Sequence, residues 1–372
     1  MARPSVTLCV VLLAVFFKLP QVLCQRGNKI SCKDATGKPV DWFVLYKLPK
    51  TKNVNGYMSL RGGEMAYSDS GTKKSLWILL SSDIYVPRLN PIRETLAPIF
   101  GKKADPDVAY VAYNDQLPGR FNGTRGGHSK GILMAGRNKR EGAVWLQHSV
   151  PRFVEDVKEG YVYPGSGREN GQLFLCLSLP LRSVNVVAQH LQVQAANVYQ
   201  ANSPSWTLKY PLFRDILTRN YSRGYKYLKV DLLKTTRGKP VLAIAKPPKY
   251  PKDIYTEELD KQMNDSIVVQ SWKNGAGGAQ SMHCTKRYDV NDVDVIDVKT
   301  KNGHAKFSSK EDHSKWYVAR HKGIFCFSSL NRMLSQKKRG GEITCLFDPA
   351  LAELFRRSIA LRSRCKGDKA EK

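Results

Sequence analysis

Two identical tripeptides hold the side chains with which this chain can do chemistry. His128-Ser129-Lys130 and His313-Ser314-Lys315 each lie between two stretches of β-like sequence. Imidazole can attack phosphorus or move a proton near neutral or mildly acidic pH. A neighbouring ammonium supplies a fixed positive charge for a phosphate. Alone, either tripeptide reads as surface histidine and lysine in a basic protein. Two copies in matched contexts read as one site assembled from two similar halves, suited to cleaving a phosphodiester without a metal.

The repeat extends to the elements that must position these residues. Asp107–Tyr113 precedes the first copy, and the alternating Asp292–Val298 precedes the second; both are predicted strands. Gly131–Met134 and Val144–Arg152 follow the first copy, Trp316–Ala319 and Phe325–Arg332 the second. With Trp145 aligned to Phe325, Ser149 falls on Ser329 and Arg152 on Arg332. Residues i and i+2 of a strand share a face, so His128 and Lys130 are expected to point into one cleft, as are His313 and Lys315. Gly126-Gly127 is expected to let a substrate backbone approach. The crossover between units is expected over Ala196–Ser205, and helices over Pro91–Phe100, Leu212–Thr218, Thr256–Lys261 and Pro349–Leu361. The last has Leu351, Leu354, Phe355, Ile359 and Leu361 on one apolar face.

The N-terminus reads as a signal peptide over residues 1–24. A charged start, an apolar run from Val6 to Phe17 too short to span a bilayer, and a cut after Cys24 make up the pattern. No later stretch reaches the roughly 18 apolar residues of a membrane anchor. Of eight cysteines, six remain after removal of the leader: Cys32, Cys176, Cys284, Cys326, Cys345 and Cys365. In a secretory protein these imply up to three disulfides, with fifteen possible pairings. No Cys-x2-Cys pair favours zinc. Asn122, Asn220 and Asn264 begin glycosylation sequons. The remaining length allows two halves, 25–200 and 201–372, each with one His-x-Lys unit.

The net charge is +28, or +26 without Arg3 and Lys18 of the leader. Such a field attracts polyanions, and the aromatics among basic residues over Tyr221–Tyr227 could stack on bases or sit on an exposed strand. Gly165-Ser-Gly lacks a nucleophile-elbow context, and no phosphate-binding Gly-x4-Gly-Lys motif is present. Asp292–Asp297 reads as strand rather than calcium loop. His190, His283, His304 and His321 share no spacing and read as structural or surface residues. A lipid phosphodiesterase with the same halves, or a basic secreted binding protein or toxin without catalysis, are the competing readings.

Five blocks carry a family resemblance: Val40–Pro49, Ala112–Asp115, Gly127–Gly131, Trp145–Pro151 and Glu311–Trp316. Together they resemble the signature segments of the deoxyribonuclease II family. The resemblance implies an α+β fold similar to phospholipase D, a pseudodimer of two halves with central mixed β-sheets flanked by helices. It implies an acid endonuclease on double-stranded DNA that needs no metal or other cofactor and leaves 3′-phosphate and 5′-hydroxyl ends. It makes His128 the nucleophile, His313 the acid and base, and Lys130 and Lys315 the phosphate clamp. Asn331 would bind phosphate, while His148 would border the cleft. It also implies the pairs Cys32–Cys176, Cys284–Cys365 and Cys326–Cys345, and a lysosomal or secreted location.

Overall fold

Runs such as Trp42-Phe-Val-Leu-Tyr-Lys47 and Gln172–Leu179 are apolar at nearly every position, as strands buried on both faces must be. They form two large sheets. The computed structural model describes residues 30–365, apart from 73–74, 120–123, 125, 223, 258–261 and 276. The expected signal peptide and Asn122 lie outside the described residues.

The first sheet contains β1 (Trp42–Lys47), β2 (Met65–Asp69), β3 (Ile78–Leu79), β4 (Ala109–Asn114), β5 (Lys130–Ala135), β6 (Ala143–His148), β7 (Gln172–Leu179) and β8 (Val198–Asn202). Their spatial order is β8-β4-β5-β6-β7-β1-β2-β3, and every pair is antiparallel. The second contains β9 (Lys229–Lys234), β10 (Pro240–Lys246), β11 (Ile267–Gln270), β12 (His283–Cys284), β13 (Asp289–Thr300), β14 (Gly303–Ser308), β15 (Trp316–Ala319), β16 (Ile324–Ser328), β17 (Gly341–Phe347) and β18 (Ile359–Arg362). Its order is β9-β10-β17-β16-β15-β11-β13-β12, with β14 and β18 also paired to β13. The β11–β13 pair is parallel, so this sheet is mixed.

Alternation along each strand sends one set of side chains to a shared core and the other to an outer cluster. Val44, Tyr46, Trp145 and Leu175 of the first sheet meet the same core as Ala243, Trp316, Val318 and Phe327 of the second. The helices Val184–Val193 and Pro349–Arg356 contribute Val187, Leu191, Leu351 and Phe355 to it. Phe43, Leu45, Ile132 and Phe174 point outward to a cluster capped by Ile92 and Leu96 of a short helix, Pro91–Leu96. The chain is thus an α+β protein with few helices. Among the described residues, no helix is long and apolar enough to cross a membrane.

Disulfides join Cys32 to Cys176, Cys284 to Cys365 and Cys326 to Cys345, the pairs that the resemblance implied. Cys326 and Cys345 are direct cross-strand partners of β16 and β17.

Several expectations need correction. The element beside β15 that corresponds in position to β4 is β11, whereas Asp292–Val298 belongs to β13, one strand further out. Alternation identified β13 as a strand but could not give its place in the sheet. The expected crossover contains β8, an edge strand paired to β4; the chain crosses afterwards, through a helix over Pro211–Thr218. The last helix stops at Arg356, where Ser358 and then β18 begin, and Leu361 is 55% exposed rather than buried. The expected helix over Pro91–Phe100 ends at Leu96, continuing as a 3-10 turn over Ala97–Ile99. The helix expected over Thr256–Lys261 begins earlier, at Ile254, and is described to Glu257; residues 258–261 lie outside the described residues. The long helix Val184–Val193 was not expected, because its Val-rich run reads equally as strand.

Candidate active site

Both tripeptides sit at the entrance to a strand rather than within one. Lys130 is the first residue of β5, and Lys315 immediately precedes β15. The backbone N–H of each histidine is held by a glycine from the other sheet's part of the chain. The His128 N–H donates to the Gly340 carbonyl at 2.8 Å, and the His313 N–H donates to the Gly171 carbonyl at 2.9 Å. Gly340 and Gly171 occupy matched places, each just before a strand, β17 and β7.

The side chains converge electrostatically. The charge on Lys315 reaches His128, and that on Lys130 reaches His313. Burial first, and then Lys130, hold the His128 imidazole well below its ordinary value, opposed by Asp115. Burial, Lys315, Lys130 and Lys47 lower His313 to about 3. Burial and then Lys130 lower Lys315 to about 7. Asp115 is buried, which by itself would raise its pKa; Lys130, His128 and Arg339 nevertheless hold it well below the usual carboxylate range.

The two histidines differ in their restraints. Nδ1 of His128 lies 2.5 Å from the Ser329 carbonyl oxygen. A carbonyl can only accept, so Nδ1 carries the proton in the neutral ring and Nε2 keeps its lone pair. The ring of His313 packs edge-on against Trp272, with centroids 4.6 Å apart. Among the described residues it makes no side-chain hydrogen bond.

Charged partners surround this core. Lys130 pairs with Asp115, and Arg339 donates to the other Asp115 oxygen at 3.2 Å and to the Gly126 carbonyl at 2.9 Å. Lys315 Nζ donates to the His313 carbonyl at 2.5 Å. Asp312, behind His313, accepts from Tyr46, from Ser314 Oγ at 2.6 Å and from Ser314 N–H at 2.9 Å.

Other expected site residues lie around or beyond it. His148 is 1% exposed, packed between Phe153 and Phe174, with Lys130 close enough to lower its pKa further after burial. It is sealed beneath the site rather than set on the cleft wall. Asn331 is buried beside Lys246, Gln336 and Lys337 in a small recess, and its Oδ1 has no hydrogen-bond partner. Asn220 and Asn264 are exposed. Gly127 serves the protein rather than a substrate: a Cβ there would lie 2.0 Å from the Gln194 carbonyl, against which Gly340 also packs. The described residues of Tyr221–Tyr227 lie outside helices and strands, with Tyr227 80% exposed. His190 meets Asp231 at 2.7 Å, and His321 meets Asp265 at 2.9 Å.

Residues 31–365 match the family model described as Deoxyribonuclease II. The chain belongs to the deoxyribonuclease II family. It is 32% identical to deoxyribonuclease-2-beta of Mus musculus, over 96% of this chain and 98% of that protein. It is 30% identical to cell-death-related nuclease 7 of Caenorhabditis elegans, over 94% and 92%. Plancitoxin-1 of Acanthaster planci is 27% identical over 93% and 96%. As a deoxyribonuclease II-type hydrolase, the chain is a nuclease that degrades DNA.

Sequence reading missed several residues of this deoxyribonuclease II site. Tyr46, Asp115 and Asp312 lie inside the signature blocks, but nothing in a block shows which member turns inward. Arg339, Glu342 and the glycine carbonyls are visible only once the halves are apposed. Glu342 is fully buried, accepting from Gln194 at 2.9 Å, and burial raises its pKa to about 7. Its unfolded value is near 4.5, so the folded state binds the extra proton between these values. Stability therefore falls as pH rises through that window, by on the order of 3 kcal/mol once Glu342 ionises. Glu342→Gln should raise the melting temperature at pH 8 and leave it nearly unchanged at pH 4. Equal shifts at both values, measured by calorimetry, would remove the titration argument.

Proposed function

We propose that the chain is an acid endonuclease that hydrolyses double-stranded DNA through a phosphohistidine on His128, without a divalent metal. The single observation carrying this reading is the difference between the two histidines. His128 has its Nδ1 proton engaged by the Ser329 carbonyl and so presents Nε2 as a nucleophile. His313, restrained at its backbone and by Trp272 but not through a ring nitrogen, is the group able to exchange a proton.

In this mechanism His128 Nε2 attacks phosphorus as the bond to the 5′-oxygen breaks. Protonated His313 gives its proton to that oxygen, releasing a 5′-hydroxyl end. The phosphoryl group stays on His128, still esterified to the 3′-oxygen. Neutral His313 then takes a proton from water, whose oxygen attacks phosphorus and breaks the P–N bond, leaving a 3′-phosphate. Lys130 and Lys315 neutralise the non-bridging oxygens in both steps. Asn331 would support phosphate binding from the periphery, whereas His148, sealed beneath the site, would act only by packing under it.

The two halves, 25–200 and 201–372, are read as a phospholipase D-like pseudodimer. Support comes from strand order: β4-β5-β6-β7-β1-β2 in one sheet runs parallel in sequence of roles to β11-β15-β16-β17-β10-β9 in the other. The N-terminal leader pattern, three disulfides and exposed Asn220 and Asn264 support a secretory-pathway protein, lysosomal or exported, glycosylated at those sites and at Asn122. Both His-x-Lys units are intact, which disfavours a binding protein or toxin without catalysis; the +28 charge suits DNA better than a lipid substrate.

The test is supercoiled plasmid at pH 5 in excess EDTA, followed by end-labelling. Nicking and linearisation with 3′-phosphate ends are expected. Cleavage that requires added Mg²⁺, or that leaves 5′-phosphates, would overturn the mechanism.

A further inference from the structure

Two lysines outside the tripeptides occupy matched places in the two sheets. Lys47 is the last residue of β1, and Lys246 the last of β10. β1 pairs with β7 and β10 with β17, the strands that begin just after Gly171 and Gly340. Both lysines are 0% exposed. Neither makes an ion pair among the described residues. Lys47 Nζ donates to the Arg168 carbonyl at 2.9 Å. Lys246 Nζ donates to the carbonyls of Lys337 at 2.8 Å and Arg339 at 2.7 Å.

Burying an ammonium without a counter-ion is costly, and burial lowers these groups to about 7 and about 8. A methionine of similar length would avoid that cost, so stability alone is a poor reason for a lysine at either place. What the two lysines hold is more informative. Arg168 stands three residues before Gly171, whose carbonyl takes the His313 N–H; Lys337 stands three residues before Gly340, whose carbonyl takes the His128 N–H. Lys47 belongs to the first sheet, but the loop it holds ends at the glycine that binds the histidine of the second, and Lys246 does the reverse. Arg339, whose carbonyl Lys246 also binds, in turn grips Asp115 and Gly126 beside His128.

We infer that Lys47 and Lys246 are a crossed pair of positioning residues, each fixing the opposite half's catalytic histidine through a glycine carbonyl. This rests on the two-histidine mechanism proposed above. Lys246 sets the attack geometry of His128, and Lys47 sets the proton-transfer geometry of His313. Small displacements in such a site cost up to about 100-fold in rate.

The roles separate with thymidine 3′-(4-nitrophenyl phosphate). Its nitrophenolate leaves without needing a proton, so release of the first equivalent reports attack by His128, and steady turnover reports water activation by His313. Wild type should give a burst of nitrophenolate. Lys246→Met should slow the burst by about 10- to 100-fold, whereas Lys47→Met should keep a near-normal burst and slow steady turnover by a similar factor. Lys246→Gln and Lys47→Gln, which retain an N–H donor, should recover part of each loss and replace either methionine variant that does not fold by circular dichroism. If wild type shows no burst, and quenching in alkaline detergent traps no phosphoenzyme, the phosphohistidine reading fails. If wild type bursts but folded variants lose both phases equally, or neither, the crossed assignment is wrong.

Discussion

Neither His128→Ala nor His313→Ala should cut plasmid DNA at a useful rate, but they should fail at different steps. In the proposed mechanism, removing His128 removes the atom to which the phosphoryl group bonds, so no phosphoenzyme should form. The residual rate then reflects binding and electrostatics alone, and a loss on the order of 10⁴ or more is expected, as for other covalent nucleophiles. Removing His313 leaves the nucleophile but strands the leaving oxygen without a proton, which costs about 10²–10⁴-fold. With thymidine 3′-(4-nitrophenyl phosphate), His313→Ala should therefore accumulate a thymidine 3′-phosphoryl group on His128, detectable by mass spectrometry as an acid-labile adduct. Both variants should still bind DNA, since the +28 charge is untouched and binding is largely electrostatic. Cleavage by His128→Ala at a tenth of the wild-type rate would end the assignment of His128 as nucleophile. An adduct on His313 in the wild type would reverse the two roles.

How far this site could be read from the sequence depends on what each residue needs in order to be recognised. His128, Lys130, His313 and Lys315 stand out because the same short pattern occurs twice, and local repetition survives in one dimension. Asp115 does not stand out: its partner Lys130 is local, but its second partner, Arg339, arrives from the far half of the chain. Lys47 looks like the polar end of an apolar strand until its burial is known. The fold shows the same division. Strands with continuous apolar runs were legible, as was the start of the last helix, where Asp348 caps and Pro349 follows. The valine-rich helix Val184–Val193 was not, because β-branched residues favour strands locally and only packing between the two sheets decides for helix. The place of β13 was equally hidden, because period-two alternation reports burial and carries no information on neighbours.

Cleavage should be faster at pH 5 than at pH 8 by about two to three powers of ten, and the site gives two reasons that act in the same direction. Lys315 is lowered to about 7 by burial and by Lys130, so it is charged below that value and increasingly neutral above it. Raising the pH to 8 therefore removes half of the phosphate clamp. His313 is lowered to about 3 in the free site, so it is neutral across the whole range. It becomes an acid only when an incoming phosphodiester brings negative charge that raises its pKa. Protonation on binding then grows more costly with every unit of pH, roughly tenfold per unit for one required proton. Binding of a short duplex should consequently take up protons, measurable by calorimetry in buffers of different ionisation enthalpy. Lys315→Arg separates the two causes, because guanidinium stays charged at pH 8. Its rate should be lower than wild type at pH 5, owing to altered geometry, yet it should fall less between pH 5 and 8. A wild-type rate that is flat over this range would remove the requirement for a protonated His313. A Lys315→Arg profile identical in shape to wild type would leave His313 as the sole source of the acid dependence.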